Sequence, residues 1–561
     1  MKKVLIVGVL AFLLVGISCN SPSKKNNNNI YDAKEHWVDS VYSSLSTKEK
    51  VAQLFMVATY SNRDKKHTDS IQKLIKSHGI GGLIFFQGGP VRQAKLTNTY
   101  QSLSKVPLLI GIDGEWGLNM RLDSTSRFPY NMTLGAIKND SLIYRIGTQI
   151  GKHCKRLGIH INFAPVVDIN TNPKNPIIGV RSFGEDKENV ANKAIAFTQG
   201  MQSEGVMACA KHFPGHGDTD QDSHKILPTV SFSTQRIDSV ELYPFKKLFK
   251  KNVAGVMVAH LNVPSLEPLA GVPSSLSYTI VTDILKEKLN YKGLIFTDAL
   301  NMKGAANYKD PGDIDLAAFK AGNDVLLFTE NAPKAISKIL EAYNNKDITA
   351  ERLAHSVKKI LGAKYDTNLN KFKPINITNI VEDLNDNSNT LLNEKAFSNA
   401  ITMLKNSNHV LPIRKAKNEK IAYVKLGEGT YHVFLGALQS GMQIQDVTGV
   451  PQEKLLNELR KYDKVIIGYH QSNSRLTKAI SKQDQAIIET IAKEKTVILN
   501  VFASQYSLKN IAFENIEGVL VSFENSELTQ KISAQMVLGE KQAMGKLPAS
   551  INSDYPVNYG I

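Results

Sequence analysis

The sequence predicts a (β/α)₈ TIM barrel followed by a smaller α/β sandwich domain. Eight apolar runs alternate with helical patterns over about 300 residues, which is the order that a parallel barrel requires. The runs are continuous rather than alternating, as expected of strands buried on both faces. Several runs end in an ionisable residue, and barrel active sites lie at the carboxyl ends of the strands.

The predicted barrel strands follow one another along the chain. They occupy residues 51–58, 80–86, 106–112, 159–169, 205–210, 253–259, 293–297 and 324–328. The ionisable residues that end the third to seventh runs are Asp113, Asp168, Lys211, His212, His260 and Asp298. Helix caps or surface charge explain one or two such ends, whereas the whole set predicts one pocket built from distant segments.

Composition and pattern divide the chain into segments. We expect a lipoprotein signal peptide (1–19), a flexible tether (20–34), the catalytic barrel (35–372), a linker or lid (373–395) and the α/β sandwich domain (396–561). The last segment again alternates apolar runs with helical stretches. It contains few clustered titratable groups, so we expect it to be structural rather than catalytic.

The first residues indicate export. Two lysines precede an apolar run at 4–17, and Ser18 and Cys19 follow, which is the layout of a secretory signal peptide. The run is too short for a comfortable membrane span. A cysteine at the cleavage point resembles a bacterial lipoprotein signal. We therefore expect a lipidated Cys19 and a cell-envelope location, on the periplasmic or outer-membrane side; the alternative is an ordinary secretory signal with an incidental cysteine.

Composition limits the partners. The 561 residues carry a formal net charge of +16, but the basic residues are spread in ones and twos, so we expect no nucleic-acid binding. Besides Cys19 the chain contains only Cys154 and Cys209. Both lie in apolar or helical contexts, which favours buried free thiols over the alternative of one disulfide. We expect a monomer that uses no cofactor.

The stretch 208–228 concentrates titratable groups in a loop. Its glycines and prolines break helices and strands, and loops that contain imidazoles are usually functional. Asp222 can bond one ring nitrogen of His224 and leave the other to move a proton, although a purely structural bond is the alternative. His212 and His216 suggest zinc, but the proline and glycine between them argue against a helix that would direct both at one metal.

Asp298 comes directly after the seventh apolar run, within the sequence LIFTDALN. This position predicts a carboxylate exposed at the floor of the pocket. Such a group can act as a nucleophile towards an anomeric carbon or phosphorus, or as a metal ligand.

Several separated motifs occur in order along the chain. They are IDGEWG (112–117), NFAPVVD (162–168), GVRSFG (179–184), KHFPGHGD (211–218), DSH (222–224), TDAL (297–300), AITMLKN (400–406) and GKLP (545–548). The set resembles glycoside hydrolase family 3, and in particular its β-N-acetylglucosaminidase branch, from about residue 40 to the end. The chain departs from the family at Trp116, where glycine is usual, and this change is expected to alter a wall of the pocket.

The resemblance implies a role for each matching residue. Asp298 would be the nucleophile of a retaining reaction, and His224 the general acid and base assisted by Asp222. The residues that would bind the terminal sugar or organise its pocket are Asp113, Arg121, Arg181, Lys211, His212, Asp168 and His216. A simple ion pair with a neighbouring carboxylate is the alternative for Arg181.

The predicted function is that of an exo-acting β-N-acetylglucosaminidase of the bacterial envelope, acting on peptidoglycan fragments or chitin-type oligosaccharides. A β-glucosidase of the same family is one alternative. Phosphorolysis is another, since an imidazole base would not repel an anionic acceptor as a carboxylate would. A metallohydrolase using the histidines is a third. The last is a glycan-binding protein with a decayed site, which would be expected to lack Asp298 or the Asp222–His224 pair.

Overall fold

The computed structural model describes residues 25–414, 419–474 and 478–561. Two sheets organise these residues. The barrel strands are β1 (Phe55–Thr59), β2 (Gly82–Phe85), β3 (Leu109–Ile112), β4 (Ile161–Asn162), β5 (Met207–Phe213), β6 (Gly255–Val258), β7 (Leu294–Thr297) and β8 (Leu326–Leu327). They pair in parallel in the order β7-β6-β5-β4-β3-β2-β1-β8.

The two ends of this sheet meet. Phe296 in β7 forms a parallel bridge with Val325, and the Val325 N–H donates to the Ile295 carbonyl at 3.0 Å. At the centre, Phe163 and Phe296 pack edge to face with centroids 5.2 Å apart. The eight-stranded barrel is thereby nearly closed, and the predicted fold class is confirmed.

Helices follow most strands and surround the barrel. They are α1 (Lys25–Ser44), α2 (Thr47–Ala52), α3 (Lys65–His78), α4 (Pro90–Leu103), α5 (Asn131–Gly135), α6 (Asp140–Arg156), α7 (Lys187–Ser203), α8 (Thr234–Ser239), α9 (Tyr243–Phe249), a π-helix (Thr279–Lys288), α10 (Lys303–Ala306), α11 (Asp313–Ala321), α12 (Ala332–Asn344) and α13 (Ala350–Asp366). The side chains of Ser46, Asp64 and Asp186 cap α2, α3 and α7 by accepting backbone N–H groups.

The bounds of two predicted strands differ for identifiable local reasons. The first run loses residues 51–52 to α2, because Ser46 and Glu49 form a capping box that starts a helix there. The fourth run, predicted over 159–169, forms a regular strand only at Ile161–Asn162, and Val166 pairs again with Lys211 of β5 through a single parallel bridge. Pro165 has no N–H for the ladder and therefore interrupts the strand between these two points.

The predicted tether and linker contain regular structure. Helix α1 begins at Lys25, inside the predicted tether, and its Trp37 packs on Tyr365 of α13 at 5.8 Å between centroids. The segment 373–395 forms α14 (Ile380–Leu384) and most of α15 (Asn387–Ala400). Leu384, Leu392 and Ala396 are buried there, and apolar burial is what makes these polar stretches helical.

The second domain is an α/β sandwich, as predicted. Its strands are β9 (Thr402–Asn406), β10 (Ile421–Leu426), β11 (Ile444–Asp446), β12 (Lys464–His470), β13 (Thr496–Phe502) and β14 (Gly518–Val521). Its helices are α16 (His432–Gly441), α17 (Gln452–Leu459), α18 (Lys482–Glu494) and α19 (Glu527–Val537). The sheet order is β11-β10-β12-β13-β14-β9, and β9 alone among the described strands of this sheet is antiparallel to its neighbour.

Cys154 and Cys209 are buried free thiols, as predicted, and burial raises the pKa of Cys154 to about 12. Within the described ranges, we find no helix with the length and apolar character needed to cross a bilayer. Cys19 and the predicted signal peptide lie outside the described residues.

Candidate active site

The predicted site residues meet at the carboxyl ends of the barrel strands. Asp113 follows β3 directly, and Asp298 follows β7 directly. Lys211 and His212 are consecutive in β5, where the register with β6 shifts between Lys211 and Phe213. A bulge of this kind lets neighbouring side chains on one strand reach the same side of a sheet.

Asp113 lies between two cations. Its Oδ1 accepts a hydrogen bond from Lys211 Nζ at 2.8 Å, and its Oδ2 accepts one from Arg121 Nη2 at 2.6 Å. Burial alone would raise the pKa of Asp113, but Lys211 and Arg121 outweigh it and lower the pKa to about 2. The carboxylate is therefore ionised, and the three side chains are fixed relative to one another.

Glu115 is a site residue that was not assigned a role from the sequence. Its side chain is fully buried and accepts two hydrogen bonds from Arg181, from Nε at 2.9 Å and from Nη2 at 2.7 Å. Lys211 Nζ lies 2.9 Å from the same carboxylate. Burial opposes ionisation of Glu115, yet the two cations hold its pKa well below the ordinary value. The signal was its place in the IDGEWG motif, two residues after Asp113.

Asp168 organises the histidines. Its Oδ2 accepts a hydrogen bond from His212 Nδ1 at 2.7 Å, and its Oδ1 accepts one from the His216 N–H at 2.7 Å. Burial would raise the pKa of Asp168, but His212 and His216 lower it overall. The Nε2 atom of His212 lies 3.3 Å from Arg181 Nη2 and accepts from it. His212 therefore connects the Asp168 group to the Glu115 group.

His216 connects the pocket to the following loop. Its Nδ1 lies 2.7 Å from Thr219 Oγ1, and its Nε2 lies 3.1 Å from Ser223 Oγ. Burial lowers the pKa of His216 to about 4, so the ring is neutral at physiological pH. Both ring nitrogens of His216, and both of His212, already have protein partners, an arrangement that does not present them jointly to a metal.

Asp222 and His224 form the predicted pair on this loop. The His224 Nδ1 atom lies 3.0 Å from Asp222 Oδ1, and the same oxygen accepts the His224 backbone N–H at 2.8 Å. The His224 side chain is 62% exposed, unlike the rest of the site. The loop contacts α10, where the Gly304 N–H donates to the Ser223 carbonyl at 3.1 Å.

Asp298 is partly buried and lies near Lys211, His212 and His260. Its Oδ1 accepts the Ala299 N–H at 2.8 Å. Burial would raise the pKa of Asp298, but His212, His260, the Ala299 N–H and Lys211 together lower it. An ionised carboxylate at the end of a strand is suited to nucleophilic attack.

His260 supports this region from the sixth strand. Its Nε2–H donates to the Ala299 carbonyl at 3.0 Å, and its Nδ1 lies 2.7 Å from Ser275 Oγ. Burial lowers the pKa of His260, and both ring nitrogens have partners. The sequence placed His260 at a strand end without a role. Its contacts show that it holds the carbonyl of Ala299, the residue after Asp298.

The structure thus joins every predicted binding residue into one network. Each of its members contacts the next through a hydrogen bond or ion pair, in the order Arg121, Asp113, Lys211, Glu115, Arg181, His212, Asp168 and His216. A groove of about 1020 Å³ at the opposite end of the barrel, lined by Lys358, Lys359 and Tyr291 among others, contains none of these residues. The strand-end network, not that groove, is the candidate active site.

Comparison with known proteins gives consistent matches. Residues 46–363 match the model of the glycosyl hydrolase family 3 N-terminal domain, and residues 401–559 match that of the family's C-terminal domain. The chain is 34% identical to β-hexosaminidase A of Pseudoalteromonas piscicida over 377 residues, 61% of this chain and 62% of that protein. The match therefore spans less than two thirds of that relative.

Two further relatives resemble the chain over more of its length. A β-N-acetylglucosaminidase/β-glucosidase of Cellulomonas fimi is 27% identical over 409 residues, 72% of each chain. The solved structure of a glycoside hydrolase family 3 β-N-acetylglucosaminidase from Paenibacillus sp. str. FPU-7 superposes with a TM-score of 0.75 at 29% identity, covering 91% of this chain and 99% of that one. The predicted enzyme class, a glycoside hydrolase, is confirmed, and the chain belongs to glycosyl hydrolase family 3.

Proposed function

We propose that the protein is an exo-acting, retaining β-N-acetylglucosaminidase that removes terminal β-linked N-acetylglucosamine from peptidoglycan fragments or chitin-type oligosaccharides. The observation that carries the proposal is the combination of a partly buried, ionised Asp298 at a strand end with the Asp222–His224 pair, whose imidazole is exposed, on the loop that contacts α10. The names of the Pseudoalteromonas and Paenibacillus relatives support the choice of an N-acetylhexosamine as the sugar.

The first chemical step forms a covalent glycosyl-enzyme. An Asp298 oxygen attacks the anomeric carbon, the bond from that carbon to the leaving oxygen breaks, and protonated His224 gives its proton to this oxygen. Asp222 holds Nδ1 of the ring, so the opposite nitrogen, Nε2, delivers the proton.

The second step releases the sugar. The now neutral His224 takes a proton from water as the water oxygen attacks the anomeric carbon, and the bond to Asp298 breaks. Two inversions give overall retention. The ionised state of Asp298 is needed both for attack and for departure, and the neighbouring histidines, the Ala299 N–H and Lys211 favour this state.

The network beside Asp298 is suited to hold the sugar. Asp113, Lys211 and Arg181 each carry a charge and are already fixed by an ion pair. Charge-assisted hydrogen bonds to hydroxyl groups orient the ring, and preorganised partners do so without ordering side chains at the moment of binding. His212 contributes from the neighbouring position in β5.

The proposal is tested with a panel of aryl glycosides and with product analysis. We expect turnover of aryl β-N-acetylglucosaminides to exceed that of aryl β-glucosides, and we expect Asp298→Ala to abolish both. A slow fluorinated glycoside should add the mass of one sugar to the wild type and nothing to Asp298→Ala. Initial release of the α-anomer, observed by NMR, would contradict retention, and faster turnover of β-glucosides would contradict the substrate.

Phosphorolysis is a second candidate, favoured by the chemistry of the acid/base residue. A neutral imidazole at His224 does not repel phosphate, and Lys225 beside it is exposed and positively charged. Sugar 1-phosphate should then accumulate in phosphate buffer. Equal turnover with and without phosphate, and no sugar 1-phosphate, would rule this reaction out.

We also propose that a lipid on Cys19 anchors the protein in the cell envelope, on the evidence of the signal-like sequence before it. The wild type should fractionate with membranes, and Cys19→Ser should fractionate with soluble proteins. Recovery of both forms in the same fraction would contradict the anchor.

A further inference from the structure

We propose that the second domain acts on catalysis by positioning Arg181, with Tyr506 as the main positioning residue. This inference rests on the proposed function, in which Arg181 binds the terminal sugar. Arg181 is the last residue of a short 3₁₀ turn, Gly179–Arg181, and three groups of contacts hold this turn. Each group leads to the second domain.

The first contact runs through Asn170. Its Oδ1 accepts the Gly179 N–H at 3.1 Å, which fixes the start of the turn. Its Nδ2 donates to the Tyr506 hydroxyl at 2.9 Å. Tyr506 follows β13 in the second domain and is almost completely buried. The orientation of the Asn170 amide, and with it the turn, therefore depends on a hydroxyl from the other domain.

The second contact reaches the end of the turn. The Asn131 Nδ2 donates to the Arg181 carbonyl at 2.7 Å. The residues on either side of Asn131 are held by Glu524 of the second domain, whose Oε1 accepts the Tyr130 N–H at 2.8 Å and the Thr133 hydroxyl at 2.7 Å. The Glu524 carboxylate is buried and lies 2.6 Å from Arg127. A buried and paired carboxylate makes this a rigid support.

The third contact lies just beyond the turn. The Glu185 N–H donates to the Pro548 carbonyl at 3.1 Å, and Ser550 hydrogen-bonds the Glu185 side chain. Gly184 has a φ of +141°, and a Cβ there would lie 2.2 Å from the Pro548 oxygen. The backbone after Arg181 therefore packs directly on the second domain, and only glycine fits.

The arginine needs this support because its own interactions are demanding. Its guanidinium makes a two-point bond to Glu115 and touches His212, and a guanidinium fork tolerates little displacement. Shifts of about 1 Å in a group that orients the substrate can cost about 100-fold in rate. Loosening the turn is expected to weaken sugar binding before it changes the chemistry at Asp298.

Tyr506→Phe tests the proposal, because it removes one hydroxyl and keeps the ring. We expect kcat/KM to fall roughly three- to tenfold, mainly through KM, as for the loss of one hydrogen bond. Tyr423→Phe is the matched control, since its hydroxyl hydrogen-bonds His470 at 2.9 Å inside the second domain. We expect it to lose a similar amount of stability and to keep wild-type kinetics.

A double-mutant cycle separates positioning from general stability. In an Arg181→Ala background, Tyr506→Phe should cause no further loss of kcat/KM or of affinity for N-acetylglucosamine measured by calorimetry. The same fold-loss in both backgrounds, or wild-type kinetics for Tyr506→Phe alone, would overturn the positioning role. Failure of the proposed function is recognised separately, because the wild type itself would then neither bind nor release N-acetylglucosamine.

Discussion

Glu115→Gln probes the charge balance at the centre of the site. Two carboxylates, Asp113 and Glu115, face three cations, Arg121, Arg181 and Lys211. Glutamine has nearly the same shape, so the substitution changes the charge without leaving a cavity. The substitution leaves Asp113 as the single anion among these five residues. It also presents the N–H donors of the glutamine amide to Arg181 and Lys211, which are themselves hydrogen-bond donors.

The magnitude follows from burial. The Glu115 side chain is completely buried and accepts three charge-assisted bonds of 2.7 to 2.9 Å. Removing one partner of a buried ion pair costs about 3–5 kcal/mol, because the remaining charges stay buried without compensation. We expect this decrease in the free energy of unfolding, together with a loss of kcat/KM, since Arg181 and Lys211 lose the acceptor that orients them.

The pH dependence gives a second check. Folding lowers the pKa of Glu115. Its ionised form therefore contributes fully to the free energy of unfolding above the ordinary pKa of 4.5, and this contribution is lost as the pH falls towards the lower pKa of the folded state. The difference in the free energy of unfolding between the wild type and Glu115→Gln should be constant from pH 6 to 8 and should decrease in acid. Urea unfolding at a series of pH values measures it.

A surface ion pair supplies the control. Lys65 and Asp69 lie 2.6 Å apart on an exposed face of α3, and Asp69→Asn should change the free energy of unfolding by no more than about 0.5 kcal/mol. A Glu115→Gln protein within about 1 kcal/mol of wild type, with unchanged kinetics, would refute the reasoning.

Three further predictions concern His224, the α10 residue Gly304 that contacts the loop of His224, and the buried Lys364 in α13. His224→Ala should slow glycosides with poor leaving groups by about 10²–10⁴-fold and activated aryl glycosides far less; equal slowing of both would count against it as the acid. Gly304→Ala places a Cβ 2.8 Å from the Ser223 carbonyl oxygen and should shift the loop, which should lower kcat for substrates with poor leaving groups roughly tenfold or more. Gly436→Ala is the control, because its Cβ meets nothing within 4 Å, and it should leave the kinetics unchanged. Lys364 is buried, and this lowers its pKa to about 7 from 10.5. The unfolded chain therefore binds the extra proton between these values and stability rises with pH. Lys364→Met should be the more stable form at pH 6, by a margin that shrinks by about 2–3 kcal/mol on going to pH 9 in urea unfolding; a margin independent of pH would contradict this.

The barrel and part of the site can be predicted because they depend on local patterns in the sequence. Asp113 and Asp298 directly follow apolar runs, and the topology of a parallel barrel brings such ends together. The Asp222–His224 bond also depends only on local spacing. These features need no knowledge of which distant segments touch.

Features that depend on distant contacts were not predictable in this way. Arg181 and Glu115 are 66 residues apart, and Glu115 does not end a strand, so its pairing with Arg181 is visible only in the packed structure. Tyr506 and Asn170 are 336 residues apart, in different domains. Hydrophobic periodicity describes which face of an element is buried, but it does not say against which partner.

The contrast in exposure between the two reacting groups affects how water takes part in each turnover. In the proposed reaction His224 gives its proton to the leaving oxygen and regains one from the attacking water, and its exposed ring is open to the solvent from which that water comes. Asp298 is only partly exposed and exchanges no proton, because it begins and ends the cycle as a carboxylate. Contact with solvent is thereby greater at the acid and base than at the nucleophile.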